Sequence, residues 1–249
     1  MTFWVIPGQD RLVSDTEWLT SRHSFSFGDH YDPSNTNHGV LLVNNDDVVS
    51  PLQGFDQHPH RESEIVTWVT SGSLVHQDSE GNSGIVYPGL AQRMSAGTGV
   101  LHSERNDTWE QLSTAGTTPT RFVQMWIMPD ESGLAPSYAQ HEVEAELVDG
   151  RLVAVASGDP TVDSAIRIAN KSATLHAVRL TAGSTVSLPT ARFSHAYVTR
   201  GSVDVGGHRL DEGDAVRGTD VGGEPITATA DAELLIWSMG RDLRELMGG

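Results

Sequence analysis

Residues 54–72 read GFDQHPHRESEIVTWVTSG, and this stretch decides how the rest of the sequence is interpreted. Residues 65–70 are all β-branched or aromatic, which is typical of a β-strand. Two histidines, His58 and His60, lie at the expected start of this strand and are two residues apart. Because side chains on a strand alternate between its faces, both imidazoles are expected to point the same way.

A second stretch, residues 94–104, reads MSAGTGVLHSE and has the same spacing of polar side chains. His102 and Glu104 are two residues apart, so they also share one face of a strand. Two such strands brought together inside a barrel would direct three nitrogens and one carboxylate towards a single point. The sequence therefore predicts a metal centre that leaves room for a substrate. Its predicted ligands are His58, His60, His102 and Glu104.

The carboxylate ligand has an alternative. Glu64 lies four residues after His60, hence on the same face if one strand continues through both, and could replace Glu104 as the ligand. We favour Glu104 and expect Glu64 to lie behind the ligands, where it orients a histidine N–H or meets the substrate. Glu62, two residues after His60, would also lie on that face and is interpreted as a solvated charge at the rim of the site.

Other polar residues receive a structural interpretation. Gln124 and Trp126, on the apolar segment RFVQMWIM, are expected to pack in the core rather than line a cavity. Gly97 and Gly99 are expected to form a tight loop that requires positive φ. A lone histidine in a β protein is usually on the surface or satisfied by one hydrogen bond. This interpretation is applied to His23, His30, His38, His76, His141, His176, His195 and His208.

Short predicted strands alternate with Gly- and Pro-containing turns, and no long stretch has helical periodicity. This pattern predicts an all-β sandwich or barrel. The chain also contains an internal repeat. Residues 68–74, WVTSGSL, align with residues 197–203, YVTRGSV. The second copy has no ligand type where the first has candidate ligands: it has Ser187, Pro189, Phe193, Ile226 and Ala228.

The repeat and a candidate linker together suggest two domains. Residues 129–140, PDESGLAPSYAQ, are rich in turn-forming residues and lack apolar alternation. The predicted domains are a metal-binding barrel at residues 1–133 and a degenerate barrel at residues 134–249.

Composition excludes several classes of protein. The 249 residues carry 33 acidic and 16 basic side chains, and the net charge of −17 argues against direct binding of nucleic acid. The absence of cysteine excludes disulfides and thiolate ligands. No apolar run approaches the roughly 18 residues of a membrane span, and the first residues do not resemble a signal peptide. We therefore expect a cytoplasmic protein that does not bind membranes.

The chain resembles the pirin family of the cupin superfamily in three stretches. These are residues 54–84, the later PG and MSAGTGVLHSE segments, and RHSFSFGDHYDP at residues 22–33. The resemblance implies a bicupin of two double-stranded β-helix (jelly-roll) barrels, the second degenerate. It also implies a divalent metal held by His58, His60, His102 and Glu104. Fe(II) is the expected ion, with Ni, Mn, Co, Cu or Zn as alternatives. Cupins generally take the glutamate from the first motif, so Glu64 stays open, although pirins resemble this chain in using the later one.

The bacterial pirins that this chain resembles most are described as quercetin 2,3-dioxygenases. That resemblance implies an oxidoreductase that cleaves the heterocycle of a flavonol such as quercetin with O₂ and releases carbon monoxide. Glu104 is then the expected catalytic base. The alternative function is a metal-dependent, redox-sensing regulator that acts through a protein partner. A metal-free, sugar-binding or isomerase-like cupin is a third interpretation.

Overall fold

The computed structural model describes residues 1–248, so only the last residue of the predicted second domain lies outside it. The chain is built almost entirely of strands. In chain order these are β1 (Thr2–Ile6), β2 (Leu12–Asp15), β3 (Leu19–His23), β4 (Leu41–Val49), β5 (Gly54–His60), β6 (Glu64–Ser71), β7 (Leu74–Asp78), β8 (Ser83–Val86), β9 (Leu90–Ser95), β10 (Val100–Arg105), β11 (Thr120–Ile127), β12 (Ser137–Glu142), β13 (Val153–Ser157), β14 (Ile166–Arg167), β15 (Ala173–Leu180), β16 (Thr185–Ser187), β17 (Ala191–Arg200), β18 (Ser202–Val205), β19 (His208–Asp211), β20 (Ala215–Val221), β21 (Pro225–Ala228) and β22 (Ala232–Met239). Two 3₁₀ helices (Gly8–Asp10 and Glu144–Glu146) and one α-helix, α1 (Leu243–Leu246), complete the described elements.

The first barrel consists of a seven-stranded sheet in the order β12-β9-β6-β11-β4-β3-β2 and a four-stranded sheet in the order β5-β10-β7-β8. Its apolar core includes Val49, Val69 and Phe122 from the larger sheet, which pack with Leu74 and Val86 from the smaller one. Burial of these side chains between two antiparallel sheets is what stabilises a jelly roll. The predicted cupin barrel is confirmed.

The second barrel repeats this order. Its seven-stranded sheet runs β1-β20-β17-β22-β15-β13-β14 and its four-stranded sheet runs β16-β21-β18-β19. Strand by strand, β17 corresponds to β6, β22 to β11, β16 to β5 and β21 to β10. The internal repeat, and with it the bicupin architecture, is therefore confirmed.

The two compact units of the structure are not separated at a single point, unlike the predicted domains at residues 1–133 and 134–249. The two compact units are residues 12–35 with 41–144, and residues 1–11 with 36–40 and the chain from residue 145 onwards. β1 pairs with β20 of the second barrel, whereas β12 pairs with β9 of the first. The segment expected to be a linker therefore contributes a strand from Ser137, because an edge strand is held by backbone hydrogen bonds and needs no apolar alternation.

Among the described helices, none has the length and apolar character needed to cross a bilayer.

Candidate metal centre

The two predicted ligand pairs lie on neighbouring strands of the smaller sheet of the first barrel. β5 and β10 are antiparallel, and His58 lies directly opposite His102 in their register. The register shifts between His102 and Glu104, which brings Glu104 opposite Phe55. At Gly54 the backbones approach so closely that a Cβ would lie 2.5 Å from the Cα of Arg105. The strand pairing itself therefore brings the imidazoles together.

Three imidazole rings form a compact triangle. The ring centroids are 4.8 Å apart for His58 and His60, 4.8 Å for His60 and His102, and 4.5 Å for His58 and His102. One ligand nitrogen from each ring lies within 4.8 Å of the other two. His102 is fully buried and the other two histidines are half-buried. This geometry places both members of the first pair and His102 on one centre.

Hydrogen bonding leaves the Nε2 atoms available for a metal. The Nδ1 of His58 lies 2.7 Å from the carbonyl oxygen of Asp56, so it donates there and leaves Nε2 as the free lone pair. The Nε2 atoms of His60 and His102 are buried and make no hydrogen bond to any residue that the structure describes. Buried nitrogens without a partner are costly unless an ion or water meets them, so this donor set fits a divalent cation.

The protonation state suits the same role. Burial, together with the neighbouring His102 and His58, lowers the pKa of His60 to about 4. Burial and the neighbouring His58 and His76 lower the pKa of His102 to about 3. Both rings are therefore neutral at pH 7, and a neutral imidazole is the form that binds a metal.

Glu104 is the carboxylate next to the triangle. Its Oε2 lies 3.9 Å from the Nε2 of His102, and the side chain is buried. Two atoms bound to one ion at about 2.1 Å can be no more than about 4.2 Å apart, so this separation is compatible with a shared metal. Gln124 Nε2 donates to the same oxygen at 2.5 Å, and the hydroxyl of Thr67 lies 3.5 Å from Oε1.

Glu64 occupies a different place. The histidines end β5 rather than begin the next strand, and the chain turns before β6, with Glu62 at a φ of 50°. The expected same-face relation of Glu64 to His60 therefore does not apply, because parity is not carried through a turn. Glu64 accepts a hydrogen bond of 2.9 Å from Ser95, and its charge acts on Arg93. Among the described residues, Glu104 forms a group of ligand atoms within 4.8 Å of one another with His102 and His76, and shares only His102 with the triangle, whereas Glu64 belongs to neither group.

His76 is a residue of this site that the sequence analysis treated as an ordinary histidine. It is fully buried on β7, next to β10, and belongs to a second group of potential ligands with His102 and Glu104. Its Nδ1 lies 3.5 Å from the Nδ1 of His102, and its Nε2 lies 3.2 Å from Oδ2 of Asp78. Tyr138 stacks on its ring at a centroid distance of 4.6 Å.

The contacts of His76 place it behind His102. If His102 faces a metal through Nε2, its Nδ1 carries the proton and donates to His76 Nδ1, and His76 then donates through Nε2 to Asp78. Burial alone would raise the pKa of Asp78, but hydrogen bonds from Asn82 and His76 lower it, so this carboxylate is charged at neutral pH. A carboxylate acting through a hydrogen-bonded group on the far nitrogen of a ligand histidine is a common way to fix its orientation.

Gln124 and Trp126 also contact the site, which corrects the expectation of plain core packing. Trp126 Nε1 donates to Gln124 Oε1 at 3.0 Å, and the amide of Gln124 holds Glu104. The Trp126 ring packs edge-on against His60 at 4.7 Å and against Phe27 at 5.6 Å. The available signal was a buried glutamine within an otherwise apolar strand, two residues from a tryptophan on the same face.

An open groove of about 480 Å³, which includes the exposed Pro59 and Leu101, touches His60 but not His58, His102 or Glu104. Its lining also includes Arg61, Ser79 and Gly99. The volume lies in the range of small-molecule sites. The tight loop expected at the two glycines is present: Gly97 has a φ of 48°, and a Cβ there would lie 2.1 Å from the carbonyl oxygen of Leu134.

Family models and known proteins resemble this chain along most of its length. The chain matches the Pirin family model over residues 8–127 and the model of the quercetinase C-terminal cupin domain over residues 154–239. A Mycobacterium tuberculosis protein provisionally assigned as a quercetin 2,3-dioxygenase is 57% identical over 231 residues, which is 92% of each chain. The protein named quercetin 2,3-dioxygenase of Escherichia coli K12 is 35% identical over 223 residues, which is 89% of this chain and 92% of that relative.

A solved structure gives the same result. The crystal structure of the bacterial pirin YhhW of Escherichia coli in complex with nickel(II) superposes with a TM-score of 0.85 and 30% identity. The match covers 96% of this chain and 100% of that one. Two family models, relatives along most of the chain and a structure with the same fold lead to one conclusion: this chain belongs to the pirin family.

Proposed function

We propose that this protein is a metal-dependent dioxygenase that opens the heterocycle of flavonols such as quercetin with O₂. The observation that carries the proposal is the triangle of three imidazoles with a buried carboxylate beside it. The names of the two quercetin 2,3-dioxygenase relatives support the substrate class. Nitrogen and carboxylate donors suit Fe(II) as the resident ion, and Ni(II), which the related YhhW structure contains, is the first alternative.

We assign the ligand atoms as Nε2 of His58, His60 and His102 together with the carboxylate of Glu104. Glu104 is preferred over Glu64 because its Oε2 lies 3.9 Å from the metal-facing nitrogen of His102, whereas Glu64 is hydrogen-bonded to Ser95. A divalent ion held there would supply the Lewis acidity that lowers the pKa of a hydroxyl group on the substrate.

The chain's own residues then position the substrate and move one proton. Glu104 is the proposed base for the flavonol 3-hydroxyl. Gln124 holds Oε2 of Glu104 at 2.5 Å, so the carboxylate has one orientation. Trp126 packs beside His60, and Phe27 packs against Trp126, so both rings shield that side of the site from water. Rigid support of this kind keeps reacting groups in a productive geometry.

The proposed reaction is balanced without an external reductant. Both atoms of O₂ enter the organic product, two bonds of the heterocycle break, and one ring carbon leaves as carbon monoxide. The remaining atoms form an ester of two phenolic acids. Carbon monoxide release should therefore match flavonol loss in a one-to-one ratio.

The test is turnover of quercetin by protein loaded separately with Fe(II), Ni(II), Mn(II), Co(II) or Cu(II), with and without O₂. We expect an O₂-dependent loss of flavonol absorbance together with carbon monoxide. His102→Ala should lose both metal and turnover while keeping its circular dichroism spectrum. The exposed His141 provides the matched control, since His141→Ala should behave as wild type. No O₂-dependent loss with any of these ions would contradict the proposal.

The same experiment addresses the alternative of a metal-dependent regulator. A protein that binds metal at the assigned residues but turns over no flavonol would favour a role through a protein partner. That role would then be tested by capture of a stoichiometric partner whose binding changes with the oxidation state of bound iron. Arg61, at the rim of the groove beside His60, is the charged residue whose substitution should weaken such binding.

A further inference from the structure

The second barrel contains a cavity of its own, of about 510 Å³, although its sequence carries no metal ligands at the repeated positions. Strands β15, β17 and β22, which are adjacent in the larger sheet, contribute to its wall. The volume again lies in the range of small-molecule sites. Nothing in the proposed dioxygenase reaction uses this cavity, so its lining has to be explained separately.

The interior of this barrel changes from apolar to polar towards the cavity. Inward-facing positions in the middle of the three strands belong to the apolar core: Val178, Val198, Leu234 and Ile236. At the next inward positions, Thr174 pairs with Ser238, and Ser238 pairs with Ser194. Because residues two apart on a strand share a face, these three hydroxyl groups form a row across the inner surface.

Three polar atoms near this row lack a partner. The Oγ atoms of Ser194 and Ser238 and the Nδ1 of His176 are buried, and none of them makes a hydrogen bond within residues 1–248. Ser194 is only 2% exposed. Thr174 differs, because its hydroxyl is 2.7 Å from that of Ser157. Buried polar atoms are normally satisfied, and His176 and Ser238, unlike Ser194, line the cavity, so their unsatisfied atoms indicate a molecule bound there.

The chemistry of these atoms is that of a hydroxyl-binding site. Burial lowers the pKa of His176, although a hydrogen bond to the backbone of Ile236 opposes this, so the ring is neutral. A neutral imidazole nitrogen either accepts from or donates to an O–H group, depending on the tautomer, so Nδ1 can pair with a hydroxyl. The hydroxyl of Ser238 can donate or accept. His176 and Ser238 therefore match a ligand that carries hydroxyl groups.

The rest of the lining favours a neutral ligand with apolar surface. Val162, Pro189 and Ala191 contribute apolar surface to the lining. Its charged residues have both signs, namely Lys171, Arg192 and Asp159, and Arg192 is already paired with Glu245 at 2.5 Å. Such a mixed rim does not select a carboxylate, whereas apolar walls with hydroxyl-binding groups suit an aromatic ring that bears hydroxyls.

We propose that the cavity of the second barrel is a binding site for a small neutral phenol. Its ring lies against the apolar wall, and its hydroxyl groups meet Nδ1 of His176 and Oγ of Ser238. The site requires no metal and does not depend on the proposed dioxygenase activity. Phenols are, however, the chemical class of the proposed substrate and products, so the second barrel could hold a fragment of the same chemistry.

The test is a binding titration of resorcinol to the full-length protein by calorimetry and by ligand-observed NMR. Resorcinol is chosen because its two hydroxyls are too far apart to chelate a metal in the first barrel. We expect saturable millimolar binding, at least about tenfold tighter than for cyclohexane-1,3-diol or benzoate. Tighter binding of benzoate would overturn the assignment of a neutral ligand, and equal binding of the diol would overturn the assignment of an aromatic one.

Four variants locate the site. Ser238→Ala should weaken resorcinol about tenfold, as expected for one lost hydrogen bond, and Ser238→Leu should abolish binding by filling the cavity. Ser187→Ala, on an exposed position of β16, is the matched control and should bind as wild type. His102→Ala should also bind as wild type. The proposal would be refuted if resorcinol binding were lost in His102→Ala, kept in Ser238→Leu, or not saturable in the wild type. If Ser238→Leu does not fold, the affinity of Ser238→Ala decides.

Discussion

Replacing His76 by phenylalanine tests whether the residues behind His102 control the metal centre. The substitution keeps a ring of similar size against Tyr138, which stacks on His76 at 4.6 Å. It removes the acceptor for Nδ1 of His102 and the donor to Asp78. Any loss of metal affinity would therefore come from the hydrogen bonds and not from a collapsed core.

The expected loss of metal affinity is about tenfold. Removing a group that orients a ligand histidine typically costs 10- to 100-fold, or about 1.4–2.8 kcal/mol. The contact between the two Nδ1 atoms is long, at 3.5 Å, so the lower end applies. Leaving the buried N–H of His102 without an acceptor should also lower the free energy of unfolding by about 1–3 kcal/mol. Asp78 is less affected, since Asn82 still donates to its Oδ2 at 2.9 Å.

The assay is competition for Ni(II) and Co(II) between protein and a metallochromic chelator at pH 7.5, with thermal unfolding measured on the same samples. Asp78→Asn should give a smaller loss in the same direction, because His76 remains as the acceptor. His141→Phe, at an exposed position of β12, is the matched control and should leave the affinity unchanged. A folded His76→Phe variant that binds both ions within about twofold of wild type would refute the reasoning.

Three further predictions concern the support of the site and the buried charge. Gln124→Met removes the donor 2.5 Å from Glu104 and should weaken metal binding about tenfold in the same competition assay. An unchanged metal affinity would contradict this prediction and would indicate that a water molecule replaces the amide. Gly54→Ala places a Cβ 2.5 Å from the Cα of Arg105 and should destabilise the protein by about 1–3 kcal/mol in urea unfolding, while an unchanged midpoint would show that the strands can separate freely. Burial and the nearby arginines hold the pKa of His195 well below 6.5, whereas the unfolded chain takes up that proton near pH 6.5, so the free energy of unfolding should fall as the pH drops below 6.5. The slope should be smaller in His195→Gln by at most about 1.4 kcal/mol per pH unit, and equal slopes would contradict the assignment.

The sequence predicted those parts of the site that depend on spacing within one strand. His58 with His60, and His102 with Glu104, share a face because each pair lies within one strand, β5 or β10. The same parity argument failed for Glu64, since the turn after His60 starts a new strand in the other sheet. Periodicity is reliable only as long as the strand continues, and a single sequence does not mark that point well when the turn lacks glycine and proline.

The contacts that support the site depend on register between strands distant in sequence, which no spacing rule gives. His76 reaches His102 because β7 pairs with β10, and Gln124 reaches Glu104 across the barrel interior from the other sheet. Sequence reasoning could name the candidate metal ligands, because ligand chemistry is restricted to a few residue types. It could not identify the side chains that orient them, since many buried polar residues in a β-barrel have only a structural role.

The second barrel shows that the fold and the metal site are separable. It has the same strand order as the first, yet Ile226 and Ala228, on the strand that corresponds to β10, are buried in its apolar core. The barrel therefore forms with apolar residues at the two positions that correspond to the candidate ligands of β10. In the first barrel the equivalent space is given to His102 and Glu104, whose burial is costly unless each polar atom is satisfied. Such a cost is tolerated where it serves a function, so the buried cluster around His102 and Glu104, rather than the barrel itself, is what supports the proposed metal site.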